Sequence, residues 1–395
     1  MQYEKYLSDR VLGLQPSGIR RFFDLAAQMD DVLSLSVGEP DFDTPLPIIQ
    51  AGIESLHNKE THYTGNAGRP ELREAIDLHI KKLYGVRYDP VKEIFLTVGG
   101  SEGLYLAMQA LLNVGDEIII PTPCFVSYQG DAYLSGGVIV EVPCKLEDNF
   151  DLDPQAVAAA ITPKTKAILL GFPCNPTGAV ASQETLQAIV RLAEEHDLII
   201  LSDEMYDQIV YDGDHVCVPA LPGAWERTVL LGGFSKNYAM TGWRIGYICG
   251  PAPLVQKMLA IHQYLIMCVN TTAQDASIQA LRIGQEFVHE MTEEYQRRRD
   301  YIYLRLTDMG LPVSKPRGAF YIFPSIAHTG LTSLEFAEQF LQAEKVAIVP
   351  GSAFGEGGEG FLRICYASSM EKITEAMNRM ERFLQQLATN RRNND

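Results

Sequence analysis

The chain has 395 residues, 46% of them apolar and 21% charged, and carries a formal net charge of −17. That length exceeds what one core serves, so a large domain with a smaller one is expected, and the composition is that of a globular chain and not a disordered one. The acidic excess repels nucleic-acid phosphates and anionic lipid surfaces, which argues against both as partners.

Seven cysteines stand singly, with no C-x-x-C pair, and Met1-Gln2-Tyr3-Glu4-Lys5 does not read as a secretory leader; a reducing, cytoplasmic home is expected. Cys124 and Cys174 adjoin motifs described below and are read as small buried space-fillers. No histidine or cysteine spacing matches a zinc site, so no metal is expected. The apolar stretches are broken well short of a membrane span.

In chain order, the first forty-four residues hold a polar arm and one helix, about Gly18 to Gln28, expected to pack with the end of the chain. Runs of β-branched and aliphatic residues then recur at Glu93 to Thr97, Glu117 to Pro121, Val138 to Val142, Lys166 to Leu170, Leu198 to Ser202, Thr228 to Leu231 and Ile245 to Cys249. Strands buried on both faces have this near-continuous apolar character, and the segments between them, such as Leu104 to Leu112 and Gln183 to Glu195, have helical periodicity. The pattern predicts an α/β fold with a mostly parallel seven-stranded sheet between helices. After Pro253 it changes to long helices, notably Gln285 to Met309, placed to connect two domains. Strands at Ala319 to Phe323, Ala347 to Val349 and Phe361 to Ile364 follow, with helices at Ser333 to Ala343 and Met370 to Leu387. The expected division is an N-terminal arm and helix at 1–44 belonging to the small domain, a large cofactor-binding domain at 45–284, and a small α+β domain at 285–395. Gly355-Glu356-Gly357-Gly358-Glu359-Gly360 is too acidic for a phosphate cradle and is read as an inter-strand loop. The tail Asn390 to Asp395 is expected to fray.

Five elements carry chemistry. Gly233-Phe234-Ser235-Lys236 follows an apolar strand, and Arg244 comes eight residues after the lysine. Strand ends form ligand crevices in open α/β sheets, so although a lysine there could simply snorkel to solvent, this one suits a phosphorylated aldehyde: Lys236 bonds the aldehyde while Ser235 and Arg244 take the phosphate. Asp203, in Ser202-Asp203-Glu204-Met205-Tyr206, also ends a strand. Its carboxylate about 4 Å from a cofactor's protonated ring nitrogen would be worth roughly 4 kcal/mol at moderate dielectric. Tyr206 could donate to a ring oxygen, or be a packed surface tyrosine. Asn175, in Asn175-Pro176-Thr177-Gly178, is a turn residue whose amide could reach both a ring oxygen and a substrate carboxylate. Gly99-Gly100-Ser101-Glu102 joins a strand to a helix, expected from about Ser101, whose N-terminus favours phosphate; by itself it is a tight turn. Phe125 is placed to open another helix and stack on a ring, or to be a core aromatic.

Taken together, the motifs resemble those of the fold type I, class I and II aminotransferases, from about Leu33 to Met380. The resemblance implies pyridoxal 5'-phosphate as cofactor, held by Lys236 as a Schiff base, with Lys236 the proton shuttle, Asp203 the ring-nitrogen partner, and Tyr206 and Asn175 the ring-oxygen ligands. It implies Phe125 as the stacking residue and Gly100, Ser101, Ser235 and Arg244 as phosphate ligands. Two residues enter only through it: Tyr63, in Thr61-His62-Tyr63-Thr64-Gly65, reaching the neighbouring subunit's phosphate, and Arg363, in Phe361-Leu362-Arg363-Ile364, clamping the substrate α-carboxylate, where a planar guanidinium serves better than an ammonium. Without it, Arg363 reads as an edge-strand surface residue. The role of Tyr63 implies a two-fold homodimer with shared active sites. Gly38 resembles a substrate-side glycine, and Gly18 to Phe23 a segment that closes over substrate, with Arg20 and Arg21 as candidates for a distal carboxylate.

The implied activity is ping-pong transfer of an amino group from an L-amino acid, aromatic by nearest resemblance, to 2-oxoglutarate. Aspartate, alanine and N-acetyl-diaminopimelate aminotransferases are similar. A carbon-sulfur β-lyase would use the same Lys236 and Asp203 to eliminate, and a regulatory module without turnover would need a DNA-binding segment that this acidic chain does not supply.

Overall fold

The computed structural model describes residues 1–14, 29 and 31–392; the expected helix at 18–28, with Arg20 and Arg21, lies outside the described residues. A short first strand, β1 (Leu33–Ser34), is followed by β2 (Ile94–Thr97), β3 (Glu117–Thr122), β4 (Val138–Pro143), β5 (Thr165–Gly171), β6 (Ile199–Asp203), β7 (Thr228–Gly233) and β8 (Gly246–Cys249). The last seven form one sheet in the order β2-β8-β7-β6-β5-β3-β4. Only β8 runs against its neighbours, so the expected mostly parallel α/β sheet is what forms.

Side-chain alternation explains why these runs are apolar throughout. Ile118 and Ile120 pack with Leu104 and Met108 of the helix Gly99–Leu111 on one face. Ile119 packs with Ile189 and Val190 of the helix Gln183–Glu195 on the other. With a helix on each face, neither side of the strand meets water. The second helix starts where the Ser182 hydroxyl accepts from the Thr185 amide at 3.0 Å, and it buries Leu186, Ile189, Val190 and Ala193, one stripe of a 3.6-residue period.

Because β8 is antiparallel to both β2 and β7, β2 runs the same way as the remaining strands. The ends of β2, β3, β5, β6 and β7 therefore meet at one carboxyl edge, and the residues that follow them gather there.

The rest of the chain builds a second layer from β9 (Tyr321–Ile322), β10 (Val346–Ala347), β11 (Val349–Pro350) and β12 (Leu362–Cys365). β12 lies between β11 and β9, antiparallel to both, while β10 pairs in parallel with β1. The strand expected over Ala347 to Val349 is thus split at Ile348, because Ala347 bonds towards β1 and Val349 towards β12. The long helix Gln285–Asp308 joins two cores: Val288 packs with the helix Thr271–Ile283, and Met291, Tyr295, Ile302 and Leu306 pack with β9 and β12. Residues near the start of the chain touch the other layer, where the Arg10 guanidinium donates to the Leu134 carbonyl at 3.1 Å. The glycine-rich segment connects β11 to β12 through short 3-10 turns, Gly351–Phe354 and Glu356–Gly358. The last helix, Met370–Arg392, runs past the expected Leu387 and into the tail expected to fray; residues 393–395 lie outside the described residues. Among the described residues, no helix is long and apolar enough to cross a membrane.

The helix Ser333–Glu344 opens with a capping box between Thr332 and Glu335 and buries Phe336 and Phe340. Phe336 meets Phe383 of the last helix edge to face at 5.2 Å. Phe336→Ala should cost about 3–5 kcal/mol, read as a lowered midpoint of chemical unfolding with an unchanged slope.

Candidate active site

The carboxyl edge of the large sheet and the second layer enclose a cavity of about 390 Å³. Gly38, Gly100, Ser101, Phe125, Asn175, Asp203, Tyr206, Ser235, Lys236, Arg244 and Arg363 all line it. Tyr63 does not: it is 82% exposed, on a separate surface groove with Leu56 and Cys268.

Lys236 sits in the loop that leaves β7 and returns as β8. It does not snorkel to solvent. Its ammonium donates to the Gly38 carbonyl at 2.7 Å and lies 5.9 Å and 5.8 Å from the Tyr206 and Phe320 rings. Burial brings this amine down to about 8, since loss of water penalises the charged form. Gly38 is delivered from the other layer, where β1 runs along β10, the Cys365 amide donates to the Leu35 carbonyl, and the Arg363 guanidinium donates to the Ser36 carbonyl.

Asp203 is the last residue of β6. One carboxylate oxygen accepts from the Met205 amide at 3.1 Å and the other from the Tyr128 hydroxyl at 2.7 Å. Burial pushes this carboxyl up to about 6, and the bonds from Tyr128 and Met205 pull it partly back. A cationic ring nitrogen would satisfy such a carboxylate. Tyr128 was not among the residues expected from the sequence, although its place three residues after Phe125, with the rings 5.7 Å apart edge to face, sets both beside the same cavity. The helix there begins at Ser127, two residues after Phe125.

Arg363 is 5% exposed on β12, the middle strand of its sheet, which corrects the reading as an edge-strand surface residue. It donates to the Asn175 side-chain oxygen at 3.1 Å, and its guanidinium lies over the Tyr321 and Phe354 rings at 4.8 Å and 5.0 Å. Its Nε is buried with no partner among the described residues, so the guanidinium keeps a donor for an incoming carboxylate. Tyr206 is buried too, not a surface tyrosine, and its hydroxyl lies 2.8 Å from that of Tyr321.

The helix after β2 begins at Gly99, earlier than expected, and Gly99 has a left-handed φ of 71°. A side chain there would be strained and would come within 2.7 Å of the Arg244 guanidinium. The start of this helix and Arg244 thus stand together, and with Ser101 and Ser235 lining the same cavity they suit an anionic group.

Behind the cavity the neighbours of the two central residues are tied down. Glu204 accepts from the Ser202 hydroxyl at 2.6 Å and pairs with His215. Burial works to lower the His215 pKa, but the Glu204 and Asp207 carboxylates together outweigh it and the net shift is upward. Asp207 accepts from the Tyr84 hydroxyl at 2.7 Å and the Asn237 amide at 2.6 Å. The cysteines are all free, with Cys124 and Cys174 buried and their thiols pushed up by burial.

A buried amine, a carboxylate, a guanidinium and an anion-suited helix start thus line one cavity. Residues 30–380 match the family described as "Aminotransferase class I and II". The chain is 48% identical over 383 residues to an "Aspartate aminotransferase" of Pyrococcus abyssi, covering 96% of this chain and 98% of that one. It is 46% identical to "Aromatic-amino-acid aminotransferase 2" of Thermococcus litoralis over the same shares of the two chains. The crystal structure of an aromatic aminotransferase from Pyrococcus horikoshii superposes with a TM-score of 0.89 at 45% identity, covering 93% of this chain and 99% of that one.

The Tyr128 bond lowers the Asp203 pKa against burial, so its loss should raise it. Tyr128→Phe is expected to move the Asp203 titration upward from about 6 by roughly 1 unit, followed in the carboxyl infrared band of the protein without cofactor and assigned with Asp203→Asn.

Proposed function

The chain belongs to the class I and II aminotransferase family, whose members depend on pyridoxal 5'-phosphate, and from that premise we propose that it moves the amino group of an aromatic L-amino acid, tyrosine or phenylalanine, to 2-oxoglutarate. The observation that carries the reading is the cavity shared by the Lys236 amine, the Asp203 carboxylate and the Arg363 guanidinium.

Bound there, the cofactor supplies an aldehyde that exchanges the amino group and a ring that draws off the electron pair left when the Cα–H bond breaks. Asp203 holds the ring nitrogen in its protonated form, and the two bonds it already accepts favour its ionised state. Phe125 would stack on the ring, and Tyr206 and Asn175 would meet its ring oxygen. The amide of Gly100, with Ser101, Ser235 and Arg244, would take the phosphate. Arg363 binds the α-carboxylate with Asn175 beside it, which orients the Cα–H bond towards Lys236. With its pKa near 8, the Lys236 amine is neutral in a large fraction of molecules at mildly alkaline pH, and in that form Nζ takes the Cα proton.

The aromatic donor is supported by the apolar part of the lining next to Arg363, where Val37 and the Tyr321 ring line the same cavity. Among the described lining residues the cations are Lys236, Arg244 and Arg363, each with a role in this scheme. Arg20 and Arg21 are the candidates for the distal carboxylate of the acceptor.

The active unit in this reading is a two-fold homodimer in which Tyr63 reaches the phosphate of the neighbouring subunit. Its support is the exposure of Tyr63, Leu56, Tyr264, Leu265 and Met267, on segments joined where the Asn66 amide donates to the Met267 carbonyl at 2.8 Å.

Four measurements test these assignments. Lys236→Ala should lower turnover by about 10²–10⁴-fold or more, and a panel of amino donors with 2-oxoglutarate, read as oxo acid and glutamate formed, should favour tyrosine and phenylalanine; preference for aspartate or a diaminopimelate derivative rejects the aromatic reading. Sedimentation should give twice the 43.9 kDa chain mass, and Tyr63→Phe should weaken cofactor retention; a fully active monomer rejects the shared site.

A further inference from the structure

Tyr321 was not among the expected site residues, yet it touches three of them. Its hydroxyl lies 2.8 Å from that of Tyr206. Its ring lies 4.8 Å from the Arg363 guanidinium. It also stands so close to Gly38 that a Cβ there would fall 2.5 Å from the hydroxyl. Tyr321 lines the cavity from β9, paired with Cys365 of β12, two residues after Arg363.

The direction of the hydrogen bond follows from counting protons. Each phenol has one to give. On the reading above, which this inference rests on, Tyr206 gives its proton to the ring oxygen of the cofactor. The Tyr206 oxygen is then free to accept, and Tyr321 is the group in position to donate to it. Burial raises the pKa of both phenols, so both stay protonated, while Arg363 works the other way on both.

We propose that Tyr321 is a positioning residue for transamination: by donating to Tyr206 it fixes the Tyr206 hydroxyl and strengthens the bond that Tyr206 makes to the ring oxygen of the cofactor. Hydrogen bonds in a chain polarise one another, and the effect is largest where water is excluded. A stronger donor draws negative charge from the ring oxygen and makes the Lys236 nitrogen, where it joins the cofactor, less basic.

The test is a pH titration of the absorbance of the bound cofactor in the holoenzyme, for the native chain, Tyr206→Phe, Tyr321→Phe and the double variant. Tyr206→Phe should raise the midpoint by about 1–2 units. Tyr321→Phe should raise it by roughly 0.3–1 unit, the share owed to the second donor. The double variant should titrate with Tyr206→Phe alone, because Tyr321 acts only through it. Phenylalanine keeps the ring against Arg363 and Gly38, so a packing role alone leaves the midpoint unmoved. A native midpoint in Tyr321→Phe, or additive shifts in the double variant, overturns the proposal and leaves the reading of Tyr206 standing. An unshifted Tyr206→Phe overturns both.

Discussion

Burial sets the charge of the two groups on which the cavity depends: it pushes the Asp203 carboxyl up to about 6 and brings the Lys236 amine down to about 8. Neither shift comes chiefly from a neighbouring charge. Both come from removing water, which costs the ionised form of any group. The cavity therefore holds a base poised to be neutral and a carboxylate in want of a cation. A ligand that brings a cationic nitrogen to Asp203 and an aldehyde to Lys236 relieves both conditions at once, which is the physical sense in which these residues fit pyridoxal 5'-phosphate.

That burial is a product of topology. The parallel run of β2, β3, β5, β6 and β7 gathers their ends at one edge, and the second layer closes over it through Gly38, Tyr321 and Arg363. The segment carrying Gly38 is anchored beyond the cavity as well, since the Arg298 guanidinium pairs with Asp41 at 2.7 Å and lies 5.5 Å from the Phe42 ring. On the far side, Glu204 with His215 and Asp207 with Tyr84 and Asn237 hold the residues next to Asp203 and Lys236. Buried carboxylates are tolerated there because each accepts several hydrogen bonds. Asp203 and Lys236 are thus braced through their sequence neighbours as well as by their own bonds to Tyr128, Met205 and Gly38.

Some of this was legible in the residues. Apolar runs at Ile118 to Ile120 and Ala167 to Leu170 announce strands covered on both faces, because no solvent-facing strand keeps every position apolar. Asp203, Lys236 and Asn175 follow such runs and so had to emerge at a sheet edge. Tyr128 and Tyr321 were invisible in the same terms. Each is one more aromatic among 18 tyrosines and 16 phenylalanines, and its importance lies in which hydroxyl or guanidinium it meets, a contact between segments 75 and 115 positions apart. Arg363 read as a surface residue for a similar reason: only the pairing of β12 between β11 and β9 puts it inside.

By itself, then, the sequence determined the kind of sheet, the strand ends at which chemistry could sit, and, through the motif around Lys236 and its order with Asp203 and Asn175, the family resemblance. These are local properties, written in periodicity and in residues a few positions apart. The tertiary structure decided which side chains share the cavity, how far burial moves Asp203 and Lys236 from their ordinary pKa values, and that Tyr128 and Tyr321 stand behind Asp203 and Tyr206. Those outcomes depend on the exclusion of water and on contacts between distant segments, and no stretch of chain carries either until the layers have closed.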